Sequence, residues 1–370
     1  MREKHYVERN GKLYARAYYK DVNTGKWKQV WRKVDSKSQA RDVADLVKQQ
    51  LKTGTEAFEN RDTLNAFLDV WLGAHRVSAR TLEDYTSLMK HHVRPTLGKK
   101  KLSSIKPLDV QQAVNAMVEK KLSARTIHYT MTVLRSALRQ AVKWGVLLNN
   151  PAEDLQLPKQ RRREMKCLSP QQAKEFLKFA RKDKYGVLFE LALVTGMRPE
   201  EYLGLRWCDV DLPNRTVSIQ RTLVWRRQKA TWYFGEAKTD KSRRTIPLTE
   251  KLARELVKHR RKQNERRLKL GSKWTDHDLV FPSDLGTPLS VRNFDRRHFK
   301  EVLIAAGLPD IRLYDLRHTC ATLLLAAGEN PKVVSERLGH SSIVLTLDCY
   351  SHVLPTMQDA ATQKLAAILR

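Results

Sequence analysis

The sequence predicts a multidomain α+β protein that is mainly α. It would contain a small N-terminal sheet-plus-helix domain, a helical domain, and a mostly helical C-terminal domain with a small antiparallel sheet. The chain has 370 residues, which is too long for one ordinary domain. Strand-like alternation is confined to residues 13–34 and 209–249. Elsewhere apolar residues recur three and four positions apart behind Ser, Thr or Pro, which is the pattern of capped helices.

The first predicted domain, residues 1–55, has two strands followed by a helix. The segments LYARAYYKD and KWKQVWRKV flank a turn at 23–25, and the helix covers about 38–51. Alternation turns one face of the first strand toward this helix. The opposite face carries aromatic and basic side chains, namely Tyr14, Arg16, Tyr18 and Lys20. Such a face is typical of a sheet that lies in a DNA groove, and an ordinary solvated sheet face fits the same spacing.

The second predicted domain, residues 62–157, is a helical bundle with helices at 63–72, 78–93, 107–120 and 123–144. The charged strip PKQRRREMK has no apolar periodicity and lies in a predicted basic linker at 158–167. We expect Arg161 and Arg162 in this strip to contact phosphates if the partner is DNA. A solvated linker between two domains is compatible with that role.

The third predicted domain, residues 168–370, contains a buried helix at 186–195 that stops at Gly196. Arg198 follows this helix end, and Pro199 directly after it is typical of the first residue of a new helix. Glu201 follows three residues later, near enough to hold the guanidinium. Without further context, an exposed surface ion pair would explain this spacing equally simply.

A change to strand character follows in the same domain. Strands are predicted at 216–224, 231–237 and 244–248. Lys238 enters the turn before the last strand, and Lys241 lies within that turn. Together with Arg243 and Arg244 this region is strongly basic, and we expect Lys241, Arg243 and Arg244 to contact phosphates.

The segment from 310 to 353 brings together residues that suit phosphate chemistry. Arg317 lies just before the N-terminal end of a predicted helix at 319–327. A second predicted helix ends before Gly339, whose backbone freedom lets His340 turn toward the group that Arg317 faces. Tyr350 follows ten residues later. A guanidinium matches phosphate oxygens, and a phenol can attack phosphorus covalently. Carboxylates grouped for a cation are absent from this segment, so the pattern favours covalent phosphoryl transfer with no metal and no other cofactor.

Composition supports a polyanionic partner. The chain has 70 Lys and Arg against 40 Asp and Glu, a formal net charge of +30. Such an excess opposes a compact fold by self-repulsion unless a polyanion neutralises it, and nucleic acid is the first candidate. No apolar run is long enough for a membrane span, and the N-terminus lacks a signal-peptide core, so we expect a cytoplasmic protein with no membrane partner. The four cysteines form no CxxC pair, which favours reduced thiols over a zinc site or disulfides.

Four strings carry a family resemblance. They are TGMRPEEYLGLRW at 195–207, YDLRHTCATLLL at 314–325, LGHSS at 338–342 and TLDCYSHV at 346–353. In order and spacing they resemble the boxes of the tyrosine recombinases of the phage integrase type. The resemblance implies the DNA breaking-rejoining fold, with an arm-type DNA-binding domain, a core-DNA-binding domain, and a catalytic domain that ends in a tail helix.

The resemblance also implies a mechanism. Tyr350 would attack a scissile DNA phosphate to form a 3′-phosphotyrosyl link and free a 5′-hydroxyl. Arg198 and Arg317 would stabilise the phosphate oxygens. Lys238 would protonate the leaving oxygen, and its assignment over Lys241 rests on the family pattern alone. His340 would either hydrogen-bond the phosphate or help to remove the phenol proton.

Two further residues take supporting roles under the same resemblance. Glu201 would hold the arginine side of the site. Tyr314 stands where many relatives have histidine. A phenol can donate a hydrogen bond to phosphate but is a weaker proton shuttle, so we expect Tyr314 to assist.

The implied partners are double-stranded attachment sites, of arm and core type, and further copies of the chain in a homotetramer on DNA. Exchange would pass through a Holliday junction during integration and excision of a mobile element. A directionality factor for excision and a host DNA-bending protein follow by analogy only. A Xer-like resolvase, a transposon recombinase and a type IB topoisomerase-like enzyme share this chemistry. A non-catalytic DNA-binding regulator is the alternative from another class, and it would not need the ordered set of site residues.

Overall fold

The computed structural model describes residues 6–9, 11–20, 27–52, 63–160, 165–226, 231–236, 243–350, 362 and 365–369. The chain divides into two compact units, Met1–Arg162 and Arg163–Arg370. The finer predicted boundaries around 55–62 and 157–168 stay predictions. Helix dominates and the sheets are small and antiparallel, which confirms the predicted fold class. Within the described residues, no helix has the length and apolar character needed to cross a membrane.

The N-terminal part of the first unit is a three-stranded antiparallel sheet covered by one helix. Its elements are β1 (Tyr6–Arg9), β2 (Lys12–Lys20), β3 (Trp27–Val34) and α1 (Lys37–Lys52). Ala15 and Ala17 of β2 are buried with Ala40 and Ala44 of α1. These small residues let the helix lie close to the sheet and leave Tyr14 on the opposite face, as the alternation predicted.

The rest of the first unit is a helical bundle. The helices are α2 (Leu64–Ala74), α3 (Ala79–Leu88), α4 (Arg94–Leu97), α5 (Pro107–Glu119) and α6 (Ala124–Lys143). Thr63, Ser78 and Ser123 cap α2, α3 and α6 by accepting a backbone N–H three residues later. The predicted helix at 78–93 differs in one respect, because its last turn, Met89–Val93, is π-helical.

The second unit is built around α8, which is apolar except for Glu190 and Thr195 and is largely buried. It contacts α7, α9, α10 and α13. The helices are α7 (Pro170–Ala180), α8 (Gly186–Thr195), α9 (Pro199–Tyr202), α10 (Glu250–Leu270), α11 (Val291–Phe294), α12 (Lys300–Ala305), α13 (Asp315–Ala326), α14 (Pro331–Leu338) and α15 (Ile343–Tyr350).

Two small antiparallel sheets lie in the second unit. The strands are β4 (Val210–Asp211), β5 (Thr216–Ile219), β6 (Arg221–Arg226), β7 (Thr231–Glu236) and β8 (Arg244–Pro247). The order is β4-β5-β8 in one sheet and β6-β7 in the other. The single strand predicted at 216–224 is therefore wrong. The chain breaks at Gln220, after which β6 turns away from β8 to pair with β7, so that Ile219 and Leu223 enter the core from different sheets.

Candidate active site

Arg198 is positioned by the turn that ends α8. Gly196 adopts a left-handed conformation with φ of 66°, and Arg198 is the N-cap residue of α9. Glu201 accepts two hydrogen bonds from Arg198, from its backbone N at 2.9 Å and from Nη1 at 2.7 Å. Nη2 of Arg198 lies 3.4 Å from the carbonyl oxygen of Gly339. The predicted contact between Glu201 and Arg198 is present, and it is an internal contact, since the Glu201 side chain is 2% exposed.

Arg317 lies deeper than the sequence suggested. The helix α13 begins at Asp315, whose carboxylate accepts a hydrogen bond from the backbone N of Arg312 in the turn that precedes the helix. Arg317 is therefore inside the first turn and only 1% exposed. Its Nη1 donates to the carbonyl oxygen of Gly196 at 2.9 Å. Among the described residues, its buried Nη2 has no hydrogen-bond partner.

The charge of Arg317 survives this burial. Desolvation and the neighbouring charge of Arg198 lower the pKa of Arg317 to about 10. The guanidinium is therefore protonated at neutral pH and retains a free donor. That combination favours binding of an anion.

Arg244 joins the site from β8. Its Nη2 donates to Oε2 of Glu201 at 2.9 Å, and its Nη1 lies 3.3 Å from Oε1. Its Nε donates to the carbonyl oxygen of Arg337 at 2.6 Å, at the end of α14. The Arg244 side chain is only 8% exposed. Its guanidinium thus forms an ion pair with a carboxylate inside the protein, whereas the sequence suggested an open phosphate contact.

Glu201 serves two guanidiniums at once. Burial alone would raise the pKa of Glu201, but hydrogen bonds and charge from Arg244 and Arg198 hold it below its ordinary value. Glu201 is therefore ionised at neutral pH. It places Arg198 and Arg244 side by side although they lie 46 positions apart in the sequence.

His340 follows the left-handed Gly339, with φ of 66°, that ends α14. Its Nδ1 lies 2.8 Å from Oγ1 of Thr346 on α15. Burial, together with the charges of Arg317 and Arg198, lowers the pKa of His340 to about 4, so the imidazole is neutral at physiological pH. Sequence reasoning did not single out Thr346. Its position one helical turn before Tyr350 is the signal that could have done so.

Tyr314 lies beside Arg198. Burial pulls the pKa of Arg198 down, but Glu201 and the nearby Tyr314 phenol together hold it above its ordinary value. The Tyr314 ring also meets the ring of His318 edge-on, with 5.3 Å between their centroids. Tyr314 is thus close to one of the two arginines expected to bind the phosphate, and its own role at the phosphate stays a prediction.

Other predicted site residues are only partly visible. Tyr350 is the last residue of α15, but its side chain lies outside the described part of the structure. Lys238, Lys241, Arg161 and Arg162 also lie outside the described residues. The remaining predicted DNA contacts show mixed exposure: the side chain of Arg243 is exposed, those of Tyr14, Arg16 and Tyr18 on β2 are partly buried, and Lys20 has only its backbone described.

The described residues of the site therefore form an electropositive cluster. Arg317, Arg198 and Arg244 surround a neutral His340, and the charges of these three arginines all act on its imidazole. One carboxylate, Glu201, balances part of the charge. The described residues contain no cluster of three His, Cys, Asp or Glu that could hold a metal ion. This arrangement is suited to a phosphate diester.

Comparison with known proteins places these features in a family context. Residues 166–357 match the model of the phage integrase family, and residues 63–118 match that of the phage integrase N-terminal SAM-like domain. A "Tyrosine recombinase XerC-like" protein of Caldanaerobacter subterraneus subsp. tengcongensis is 28% identical over 97% of this chain and 93% of its own.

Solved structures show the same fold. The Tn1549 transposon integrase in complex with transposon right end DNA has a TM-score of 0.69 and 25% identity, covering 82% of this chain and 100% of that chain. A lambda integrase tetramer bound to a Holliday junction has a TM-score of 0.55 and 19% identity, covering 93% of this chain and 94% of that one. At that identity the likeness to lambda integrase concerns the fold alone.

Proposed function

The chain belongs to the phage integrase family of tyrosine recombinases and is a tyrosine-type site-specific recombinase, and from this premise we propose how its residues divide the work. Tyr350 attacks a scissile phosphate of attachment-site DNA. The new bond joins the phenol oxygen to phosphorus, the bond from phosphorus to the 5′-oxygen breaks, and Lys238 gives that oxygen its proton. Rejoining to another strand reverses these steps, so integration and excision of a mobile element need no ATP.

The observation that carries this proposal is Nη2 of Arg317, which is buried and has no hydrogen-bond partner in the described part of the chain. A buried donor without a partner costs about 1–3 kcal/mol. A phosphate oxygen of the substrate would satisfy it, and the benefit would grow as negative charge builds on the phosphate in the transition state. Arg198, held by Glu201, would take a second oxygen. Tyr314, whose phenol lies near Arg198, would assist at the same phosphate.

His340 contributes as a neutral group. It could donate an N–H to a phosphate oxygen, or it could accept the phenol proton through an unprotonated nitrogen. A neutral imidazole can do either, and the choice depends on which nitrogen carries the proton.

We further propose that the active species is a homotetramer on two double-stranded attachment sites, with arm and core contacts. The lambda integrase fold, which has been solved as a tetramer on a Holliday junction, supports this assembly. A directionality factor and a host DNA-bending protein would act on the same complex, in the cytoplasm of the host cell.

A trapping experiment tests the proposal. The substrate is a nicked duplex made from DNA that is recovered with the bound protein, and the buffer contains EDTA. We expect a covalent protein–DNA adduct at the 3′ end with the wild type and none with Tyr350→Phe. Adduct formation by Tyr350→Phe would disprove the assignment of Tyr350 as the nucleophile. Retained binding with no adduct from the wild type would favour a DNA-binding regulator.

A further inference from the structure

Thr346 makes an unusual hydrogen bond for a buried helical threonine. Thr130, Thr195 and Thr319 are all fully buried in helices, and each donates its hydroxyl to the carbonyl oxygen four residues earlier. Thr346 is likewise 0% exposed. Among the described residues its hydroxyl instead meets Nδ1 of His340, at 2.8 Å. Its proton is therefore available to the imidazole, whereas the other three give theirs to the backbone.

We propose that Thr346 is a positioning residue whose hydroxyl donates to Nδ1 of His340 and so keeps the ring proton on Nε2, the nitrogen left for the DNA phosphate. A neutral imidazole has one donor and one acceptor nitrogen. If Nδ1 accepts from Thr346, Nε2 must carry the hydrogen. His340 is then a hydrogen-bond donor to phosphate, and the phenol proton is released to solvent water and not to His340.

The surroundings of His340 keep it in the neutral state that this argument needs. Charged or titratable groups act on it from several elements: Arg317 and His318 on α13, Arg198 before α9, and Arg244 on β8. All of these disfavour a second proton on the ring. A doubly protonated ring would donate from both nitrogens, so the hydroxyl of Thr346 would have no effect on which nitrogen carries a proton.

The placement of Thr346 also links this choice to the nucleophile. Thr346 and Tyr350 lie one turn apart on α15. The bond to His340 can form only while α15 is docked against the end of α14. Docking of the helix that carries Tyr350 would thus set the tautomer of His340 in the same step. This consequence for catalysis rests on the proposed function; the tautomer assignment does not.

The test measures the tautomer directly in the full chain without DNA. Histidine-selective isotope labelling and imidazole nitrogen NMR identify the protonated nitrogen, and His340→Gln assigns the signal. We expect the Nε2–H form in the wild type and in Thr346→Ser, which keeps the hydroxyl. Thr346→Val has nearly the same shape without the hydroxyl, and we expect it to show a substantial Nδ1–H population. Thr130→Val, a buried helical threonine of the other unit, is the matched control and should leave the His340 signal unchanged.

Cleavage of the nicked substrate supplies the second measurement. We expect the cleavage rate to fall about tenfold in Thr346→Val, because one hydrogen bond to phosphate is lost, and to recover in Thr346→Ser, where that bond is restored. An Nδ1–H wild type, or a Thr346→Val variant with an unchanged tautomer, would overturn the proposal. Because the NMR result needs no DNA, it stands or falls separately from the trapping experiment on Tyr350.

Discussion

Replacement of Glu201 by Gln tests the shared carboxylate most directly. The change keeps the shape of the side chain and removes its charge. Loss of one partner from a buried ion pair costs about 3–5 kcal/mol. Arg198 is 29% exposed, so water compensates part of its loss, whereas Arg244 is 8% exposed and receives little help from solvent. We therefore expect the lower end of that range, about 3 kcal/mol.

The measurement is scanning calorimetry of the full chain. For a unit of roughly 200 residues, about 3 kcal/mol corresponds to a fall in Tm of about 6–12 °C. Glu250→Gln is the control, because the ion pair between Glu250 and Arg254 is exposed on both sides and should contribute less than about 1 kcal/mol. Adding Arg244→Met to Glu201→Gln should recover part of the loss, since the buried charge that Glu201 balanced is then also removed.

The pH dependence of this effect has a definite sign. The pKa of Glu201 is held below its ordinary value in the folded protein. Its contribution is therefore fully present above that ordinary value and is lost as pH falls through the lower folded value. The stability difference between wild type and Glu201→Gln should narrow in acid. A difference near zero at neutral pH, or an additive double variant, would refute the argument that Glu201 compensates a buried Arg244.

Three further predictions concern the same site. Gly196→Ala should lower Tm more than Gly307→Ala, because both glycines have positive φ but only a Cβ at Gly196 would meet a close neighbour, Leu338 Cδ2 at 2.7 Å. Equal losses of Tm in calorimetry would show that only backbone strain matters. The pKa of His340 measured by NMR should be about 4, and bound DNA should raise it, because the phosphate anion favours the protonated ring. A pKa near 6.5 in the protein without DNA would contradict the buried geometry. Arg317→Lys should reduce adduct formation at least a hundredfold, because lysine keeps the charge but not the planar set of donors, while DNA binding measured by gel shift should be retained. Full activity would show that Nη2 of Arg317 does not bind the phosphate.

The order of the four motifs was enough to predict the family. Local signals also predicted much of the framework. Gly196 and Gly339 end helices in the left-handed conformation that they were expected to provide, and Glu201 reaches Arg198 three positions away. Such features depend on residues within one helical turn of each other, so the sequence pattern contains them.

What the sequence by itself determined was thus the class of chemistry, the elements that carry it and the turns that present Arg198 and His340. Only the tertiary structure decided that Arg244 is buried against Glu201 and that Nη2 of Arg317 has no partner among the residues that the structure describes. These facts arise where segments far apart in the chain pack together. Hydrophobic periodicity shows which face of an element is buried, but it does not show which distant side chain will meet that face.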